Sequence, residues 1–238
     1  MQLRDSEHVK ELNNVRPKQP FYFLKPPSSI VLPGAGPVIQ PKGVDLHYEV
    51  ELGLIMGKKL RDFPASDEKG AIDAVECEQP CALGKPGCTV TNRSRSAYVL
   101  AIDMTARNAQ NEAKKKGLPW DISKGFDTFL PVSHVLPKSA IPDPHDIELF
   151  LQVNGETHQD ASTNLMLFQI PRLLSDISKV MTLEPGDLVL TGTPAGVGPV
   201  VPGDVMRAGL RVNGKELEDA RIEIPVEKST SSYEFSET

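Results

Sequence analysis

The residues from Val44 to Met56 constrain the fold most strongly, because apolar side chains occupy every second position there. That alternation predicts a β-strand with one face toward a core. The opposite face carries the polar residues Asp45, His47, Glu49 and Glu51. Since a strand rises about 3.3 Å per residue, the two glutamates are expected to lie about 6.6 Å apart on one side. Two carboxylates this close repel each other unless water, a cation or a proton separates them.

A hard divalent cation such as Mg²⁺ would remove that repulsion, and a third carboxylate would complete its ligand set. Asp103 is the natural third ligand, because it closes the apolar run Tyr98–Ile102, which predicts a buried strand. Taken alone, a Glu-x-Glu pair is more often a solvated strand face than a metal site. Its combination with Asp103 and the residues that follow favours a metal site.

The stretch from Asp103 to Lys116 predicts a helix that ends at Gly117. On such a helix Asp103, Arg107 and Gln110 recur at i, i+4 and i+7 and therefore share one face. A carboxylate, a guanidinium and an amide would then point the same way from a strand-to-helix junction. Free backbone N–H groups at such junctions favour anionic ligands.

A glycine-rich loop from Thr191 to Gly198 follows the apolar segment Asp187–Leu190, which predicts another strand. The backbone N–H groups and hydroxyls of this loop could bind a carboxylate. An ordinary glycine turn is an equally good interpretation of the loop by itself.

Four segments of the chain share the order of motifs in a known family, namely Leu46–Leu52, Ile102–Arg107, Lys115–Trp120 and Leu190–Gly198. Together they resemble the fumarylacetoacetate hydrolase family, and within it the acylpyruvase and oxaloacetate-handling branch. No single segment is decisive, since Glu-x-Glu and Gly-Thr-Pro each recur widely. The resemblance extends from about Glu7 to Val226 and implies a β-rich α+β fold, a mixed β-roll or β-sandwich with a few peripheral helices.

The resemblance implies roles for individual residues, beginning with the metal. An acidic triad binds Mg²⁺ or Mn²⁺ in this family, and the matching positions are Glu49, Glu51 and Asp103. A catalytic lysine near the metal holds the substrate and its developing charge, and it matches Lys124.

Further matches concern the substrate and the proton transfers. Arg107, Gln110 and Thr193 match substrate-binding residues, Thr193 in a loop that holds the substrate carboxylate. A His-x-x-Glu near the N-terminus, matched by His8 and Glu11, is expected to activate water or move protons. Without the resemblance these two would be an ordinary surface pair.

The expected activity is that of a Mg²⁺-dependent enzyme that cleaves a C–C bond in acylpyruvates and decarboxylates oxaloacetate through an enolate. Two alternatives stay open: an oxaloacetate keto–enol tautomerase, and a catalytically impaired homologue that retains the metal site without a working His8–Glu11 pair. By resemblance we expect a small 2-oxo or 2,4-dioxo acid as substrate and a homodimer.

Composition agrees with an enzyme of small molecules. The chain has 238 residues, which is enough for a sizeable core, and no apolar run approaches the ~20 residues of a membrane helix. A net charge of -6 argues against nucleic-acid binding. The first twenty residues resemble neither a signal peptide nor a transit segment. We expect an intracellular protein, mitochondrial by family resemblance, with the cytosol as the alternative.

The resemblance also suggests an organisation along the chain. We expect a shortened N-terminal lid segment over residues 1–19, a catalytic β-roll over 20–228, and a disordered polar tail over 229–238. Residues 76–97 interrupt the resemblance and are predicted to be a mobile insertion. This stretch lacks the paired spacing and the fourth ligand of a zinc site, although it contains Cys77, Cys81 and Cys88.

Local patterns predict three smaller elements. Phe21–Leu24 is predicted to be a short strand. Asn154–Gly155 predicts a tight hairpin turn after an alternating strand that begins at Ile147. Apolar residues at helical spacing predict a helix over residues 167–181 that packs on a sheet.

Overall fold

The computed structural model describes residues 17–75 and 96–237, and its regular structure is mainly β. The predicted α+β class with few helices is confirmed. His8, Glu11 and the three cysteines lie outside the described residues. No helix in the two described ranges is long and apolar enough to cross a membrane. The helices are α1 (Glu68–Ala74), α2 (Arg107–Lys116), α3 (Asp121–Lys124) and α4 (Ile170–Ser178).

Within the two described ranges the strands form four sheets. They are β1 (Ile30–Val31), β2 (Val38–Gln40), β3 (Leu46–Tyr48), β4 (Val50–Ile55), β5 (Ser96–Ile102), β6 (Thr105–Ala106), β7 (Leu130–Pro131), β8 (Leu136–Pro137), β9 (Glu148–Val153), β10 (Glu156–Ser162), β11 (Leu188–Leu190), β12 (Gly198–Pro199), β13 (Val205–Val212), β14 (Lys215–Glu216) and β15 (Ile222–Lys228).

The largest sheet has the order β10-β9-β13-β15-β2, with β14 paired to β13, and a four-stranded sheet has the order β11-β4-β5-β8. Smaller sheets join β12-β3-β6 and β1-β7. Among these named strands, only β1–β7 and β15–β2 pair in parallel. One apolar cluster contains side chains of both large sheets, including Leu52, Leu100 and Leu149. The core therefore lies between the sheets, and β4 and residues Tyr98–Ile102 of β5 are buried in its centre.

The segment predicted as one strand from residue 44 to 56 consists of two strands, β3 and β4, which separate at Glu49. β3 pairs with β6 and β12, whereas β4 pairs with β5 and β11. At the break, the Asp103 N–H donates to the Glu49 carbonyl at 2.8 Å. The strand thus changes sheets at the first glutamate, and its partner strand β5 ends beside it.

Helix α2 begins at Arg107 and not at Asp103, so the prediction of one continuous helix was wrong at its start. Residues 105–106 form β6 instead, and the Arg107 N–H donates to the Asp45 carbonyl at 2.7 Å. Asp103 therefore lies at the end of a strand and shares no helix face with Gln110. The predicted end is confirmed, because Gly117 closes the helix with a φ of +67°.

The hairpin at Asn154–Gly155 is confirmed, with left-handed φ angles of 51° and 86° between β9 and β10. The helix predicted over residues 167–181 is present as the shorter α4, which starts with a proline in its first turn. The predicted strand at Phe21–Leu24 was wrong. The rings of Phe21 and Phe23 lie 5.0 and 5.6 Å from that of Trp120 in edge-on and tilted orientations, so aromatic packing replaces strand pairing there.

The C-terminal residues 229–237, expected to be disordered, lie against the body of the protein. The Phe235 N–H donates to the Lys42 carbonyl at 2.9 Å, and the Tyr233 ring lies 5.4 Å from that of Phe126. Composition suggested a solvated tail because most of its residues are polar. The rings of Tyr233 and Phe235 instead pack against apolar side chains, and the Lys42 carbonyl just beyond β2 accepts the hydrogen bond.

Candidate active site

Three carboxylates meet in the interior at the point where β4 and β5 pair. Glu49 and Glu51 are 0% exposed and Asp103 is 1% exposed. One oxygen from each lies within 4.8 Å of the others. The antiparallel register places Val50 opposite Ile102, so the glutamates flank one strand end and Asp103 follows the other. The structure thus brings together the three residues that the sequence suggested as metal ligands.

Basic side chains compensate this buried negative charge. Lys124, at the end of α3, donates to Glu49 Oε2 at 2.9 Å and to Asp103 Oδ2 at 2.7 Å. Arg107 Nη2, from the first residue of α2, lies 2.8 Å from Glu49 Oε1. The Thr105 hydroxyl donates to the same oxygen at 3.1 Å. Both oxygens of Glu49 are therefore held in fixed directions.

Lys25 is a member of this cluster that the sequence analysis missed. Its Nζ lies 2.9 Å from Asp103 Oδ1 and also donates to the backbone carbonyl of Lys124. Its side chain is only 6% exposed. The sequence contains a signal for this role, because Lys25 lies between the apolar pairs Phe23-Leu24 and Pro26-Pro27. A lysine that is buried with such a segment almost always has a charged or polar partner.

Burial and charge set different pKa values for neighbouring groups. Burial opposes the charge on Lys124, but Asp103 and Glu49 outweigh it and raise the lysine pKa. Burial lowers the pKa of Lys25 despite its contact with Asp103, and the charge of Lys124 adds to that effect. The pKa values of Glu49 and Asp103 are lowered against the effect of burial, because Lys124 contacts both.

Glu51 differs from its two neighbours because no basic side chain of the described residues contacts it. Burial and the charge of Asp103 raise the pKa of Glu51 to about 8. Its Oε2 accepts a hydrogen bond from the Gly192 N–H at 2.6 Å. Its Oε1 is buried and has no hydrogen-bond partner within the described ranges.

A divalent cation fits this arrangement. Three carboxylates form a hard oxygen donor set, and the cation would give Glu51 Oε1 the partner that it lacks. The residues that could hold the ion are therefore Glu49, Glu51 and Asp103.

Arg107 and Gln110 lie side by side on the first turn of α2. Arg107 Nη1 donates to Gln110 Oε1, which fixes the amide. Arg107 Nε and Gln110 Nε2 are buried and have no acceptor among the residues described. Both nitrogens are donors, so a ligand that satisfies them must carry acceptor oxygens. These two sequence-suggested residues are therefore suited to bind an anion.

The glycine-rich loop from Thr191 to Gly198 is tied to β4. The Thr191 N–H and hydroxyl both donate to the Leu52 carbonyl at 3.0 Å. Gly192 has a φ of +96°, and its N–H reaches Glu51. Thr193 is 0% exposed, with its hydroxyl bonded to Gln159. The loop thus directly contacts β4, the strand that bears Glu51.

A cavity of about 340 Å³ reaches the site at Lys25 and Asp103. Most of its remaining lining is apolar and includes Leu130, Ile177 and Leu188. Neither Arg107 nor Thr193 lines this cavity, so it lies on the lysine side of the triad.

Comparison with known proteins places this geometry in a family. The family model described as fumarylacetoacetate (FAA) hydrolase C-terminal matches residues 2–77 and 74–222. The chain belongs to the fumarylacetoacetate hydrolase family. The predicted resemblance is therefore confirmed.

Two curated members of the family are similar over most of their length. The chain is 50% identical over 222 residues to a mitochondrial oxaloacetate tautomerase, oaa1, of Schizosaccharomyces pombe, with 93% of this chain and 91% of the relative covered. It is 47% identical over 206 residues to a mitochondrial oxaloacetate decarboxylase of Dictyostelium discoideum, with 86% and 84% covered.

Solved structures of the fumarylacetoacetate hydrolase family share the fold. The yeast family member ynq8 has a TM-score of 0.78 at 38% identity and covers 92% of this chain and 91% of its own. A fumarylpyruvate hydrolase from Pseudomonas aeruginosa, solved in complex with Mn²⁺ and pyruvate, has a TM-score of 0.75 at 27% identity, with 95% and 87% covered.

The pKa of Glu51 generates a test of the metal site. Because this pKa is raised to about 8, the carboxyl is mainly protonated at pH 7 and must lose its proton to bind a cation. We expect Mn²⁺ binding to release about one proton per ion at pH 7 and to strengthen as pH rises, levelling off above the pKa. Titration calorimetry in buffers of different ionisation enthalpy measures this release.

The matched variant is Glu51→Gln, which keeps the shape and removes the titrating group. Its Mn²⁺ affinity should be weaker, and its binding should release no proton. A wild-type enthalpy that does not depend on the buffer at pH 7 would contradict the raised pKa of Glu51. An unchanged Mn²⁺ affinity in Glu51→Gln would contradict the assignment of Glu51 as a ligand.

Proposed function

We propose that this protein is an oxaloacetate keto–enol tautomerase that uses Mg²⁺ or Mn²⁺ held by Glu49, Glu51 and Asp103. The observation that carries the proposal is the buried acidic triad, in which basic side chains contact Glu49 and Asp103 while Glu51 Oε1 has no hydrogen-bond partner among the described residues. The tautomerase named among its relatives at 50% identity supports the same reaction.

The charges around the triad favour a dianionic substrate. Among the described residues, three basic side chains lie around the triad and contact Glu49 and Asp103, namely Lys25, Lys124 and Arg107. Once Glu51 has lost its proton, these three positive charges equal the three negative charges of the carboxylates. A divalent cation therefore leaves the site with two positive charges. Oxaloacetate carries two carboxylates and neutralises that excess, whereas burying a neutral molecule would leave the charge uncompensated.

Tautomerisation moves a proton from C3 of oxaloacetate to its C2 keto oxygen. The cation, when bound, supplies Lewis-acid polarisation of the 2-oxo group. Arg107 and Gln110 offer donors to a carboxylate through the nitrogens that lack acceptors in the described chain. Lys124 lies close enough to the triad to stabilise negative charge on the enolate.

The base that removes the C3 proton is assigned by family resemblance to His8, with Glu11 as its partner. Both residues lie outside the described ranges, so their role rests on the sequence alone. A neutral imidazole suits this step, because its pKa lies close to physiological pH.

Decarboxylation of oxaloacetate is the second candidate. It is supported by the decarboxylase named among the relatives at 47% identity. It uses the same enolate chemistry but breaks the C3–C4 bond and releases carbon dioxide. Acylpyruvate hydrolysis, the leading expectation from sequence, stays a prediction that needs an activated water. The structural similarity to a fumarylpyruvate hydrolase supports this third reaction.

Two further expectations follow from the relatives. The named relatives are described as mitochondrial, and we propose the same location here. We also keep the expectation of a homodimer, which comes from the family resemblance.

The deciding experiment follows enol absorbance and pyruvate formation together, with the full chain, Mg²⁺ and oxaloacetate. We expect the approach to keto–enol equilibrium to accelerate from either tautomer, with little pyruvate formed. Asp103→Asn should reduce this acceleration to background, because it removes one charged ligand of the cation.

The matched control is Asp73→Asn, an exposed aspartate in an ion pair with Lys138 at 3.2 Å, which should leave the rate unchanged. Pyruvate formed as fast as the enol signal changes would identify the decarboxylase instead. Neither signal, with Mn²⁺ still bound, would identify the impaired homologue.

A further inference from the structure

The side chain of Gln159 connects the two halves of the site. It lies in β10, is 0% exposed, and uses both ends of its amide. Its Oε1 accepts from the N–H of Val50, the residue between the two metal-site glutamates, at 3.0 Å. Its Nε2 donates to the Thr193 hydroxyl at 2.9 Å and to the Pro194 carbonyl at 2.9 Å.

The orientation of this amide is determined by its backbone partners. The Val50 N–H can only donate and the Pro194 carbonyl can only accept. A flipped amide would place donor against donor and acceptor against acceptor. The group that faces Thr193 is therefore the NH₂ end, which has no lone pair to offer.

This orientation decides what the Thr193 hydroxyl can do. Because Gln159 donates to it, the hydroxyl oxygen acts as acceptor in that contact and keeps its own proton for another partner. No residue in the described ranges accepts that proton, and Thr193 is completely buried. The hydroxyl is thus preset as a donor to a ligand oxygen.

The backbone around Gln159 is built to hold this position. The pairing of β9 and β10 shifts register between Thr157 and Gln159, so His158 is the extra residue of a β-bulge. Gly196 of the glycine-rich loop packs on this bulge, where an added Cβ would lie 1.9 Å from the His158 carbonyl oxygen. Only glycine permits the loop to approach β10 so closely.

We propose that Gln159 is a positioning residue that directs the Thr193 hydroxyl proton toward a carboxylate oxygen of the substrate. The same amide holds the glycine-rich loop at a set distance from the strand that bears Glu49 and Glu51. This inference rests on the proposed function, since it requires a 2-oxo acid beside the cation. It adds a preference: a ligand atom with a lone pair at the Thr193 position satisfies the hydroxyl proton, whereas a ligand donor would leave that proton without an acceptor among the described residues.

The test measures oxalate binding to the full chain saturated with Mn²⁺, so that a change in metal affinity does not alter the measured oxalate affinity. Gln159→Met is made in three backgrounds, with Thr, Ser or Val at position 193. We expect Gln159→Met to weaken oxalate binding about tenfold where the hydroxyl is present, the usual worth of a hydrogen bond to a charged group. With Thr193→Val it should have no further effect, because the proton that it directs is gone.

The matched control is Gln152→Met. Gln152 donates to the Thr157 hydroxyl at 3.1 Å on the exposed side of the same hairpin, so it repeats the glutamine–threonine pair outside the site. It should leave oxalate binding unchanged in every background. Thermal unfolding and the Mn²⁺ dissociation constant, measured for each variant, report any general loss of structure.

The outcomes separate the inference from the function on which it rests. An equal loss from Gln159→Met with Thr, Ser and Val at position 193 would overturn the inference and leave the proposed function standing. No effect of Gln159→Met in the wild-type background would also overturn it. If the Mn²⁺-loaded wild type binds no oxalate and does not act on oxaloacetate, both fail together.

Discussion

The burial of three carboxylates within 4.8 Å of one another is the constraint on which the rest of the structure depends. Moving a charged carboxylate from water into the protein interior costs on the order of several kcal/mol unless opposite charges and hydrogen bonds compensate. Here the compensating groups come from separate parts of the chain, namely Lys25 before β1, Arg107 on α2 and Lys124 on α3. The fold is therefore arranged so that these segments converge on the end of β5.

The pairing of β4 with β5 also connects the acidic triad to the glycine-rich loop, where we propose that the substrate binds. The change of sheets at Glu49 places this residue beside Asp103, and Glu51 then faces the glycine-rich loop through Gly192. Gln159 also links this loop to β4, because its amide accepts from the Val50 N–H and donates to the Pro194 carbonyl. The proposed metal ligands and the proposed substrate donors thus share backbone contacts, so a displacement of one group should also move the other.

The acidic triad could be predicted from sequence, because strand alternation is local and Asp103 ends an apolar run. The roles of Lys25 and Gln159 could not be predicted, because they depend on contacts between distant parts of the chain. Lys25 contacts Asp103, 78 positions further along, and Gln159 contacts Thr193, 34 positions further along. The start of α2 was misplaced because pairing of β6 with β3 overrides helix propensity at Thr105. Tertiary contacts also order residues 229–237, which composition suggested to be a solvated tail.

A crystal of the full chain grown with Mn²⁺ tests the central claim most directly, through the anomalous difference map. The account predicts one strong peak in contact with carboxylate oxygens of Glu49, Glu51 and Asp103, with Glu51 Oε1 among its ligands. A Mn²⁺ peak elsewhere, or a triad bridged only by Lys25 and Lys124 in the presence of saturating Mn²⁺, would contradict it.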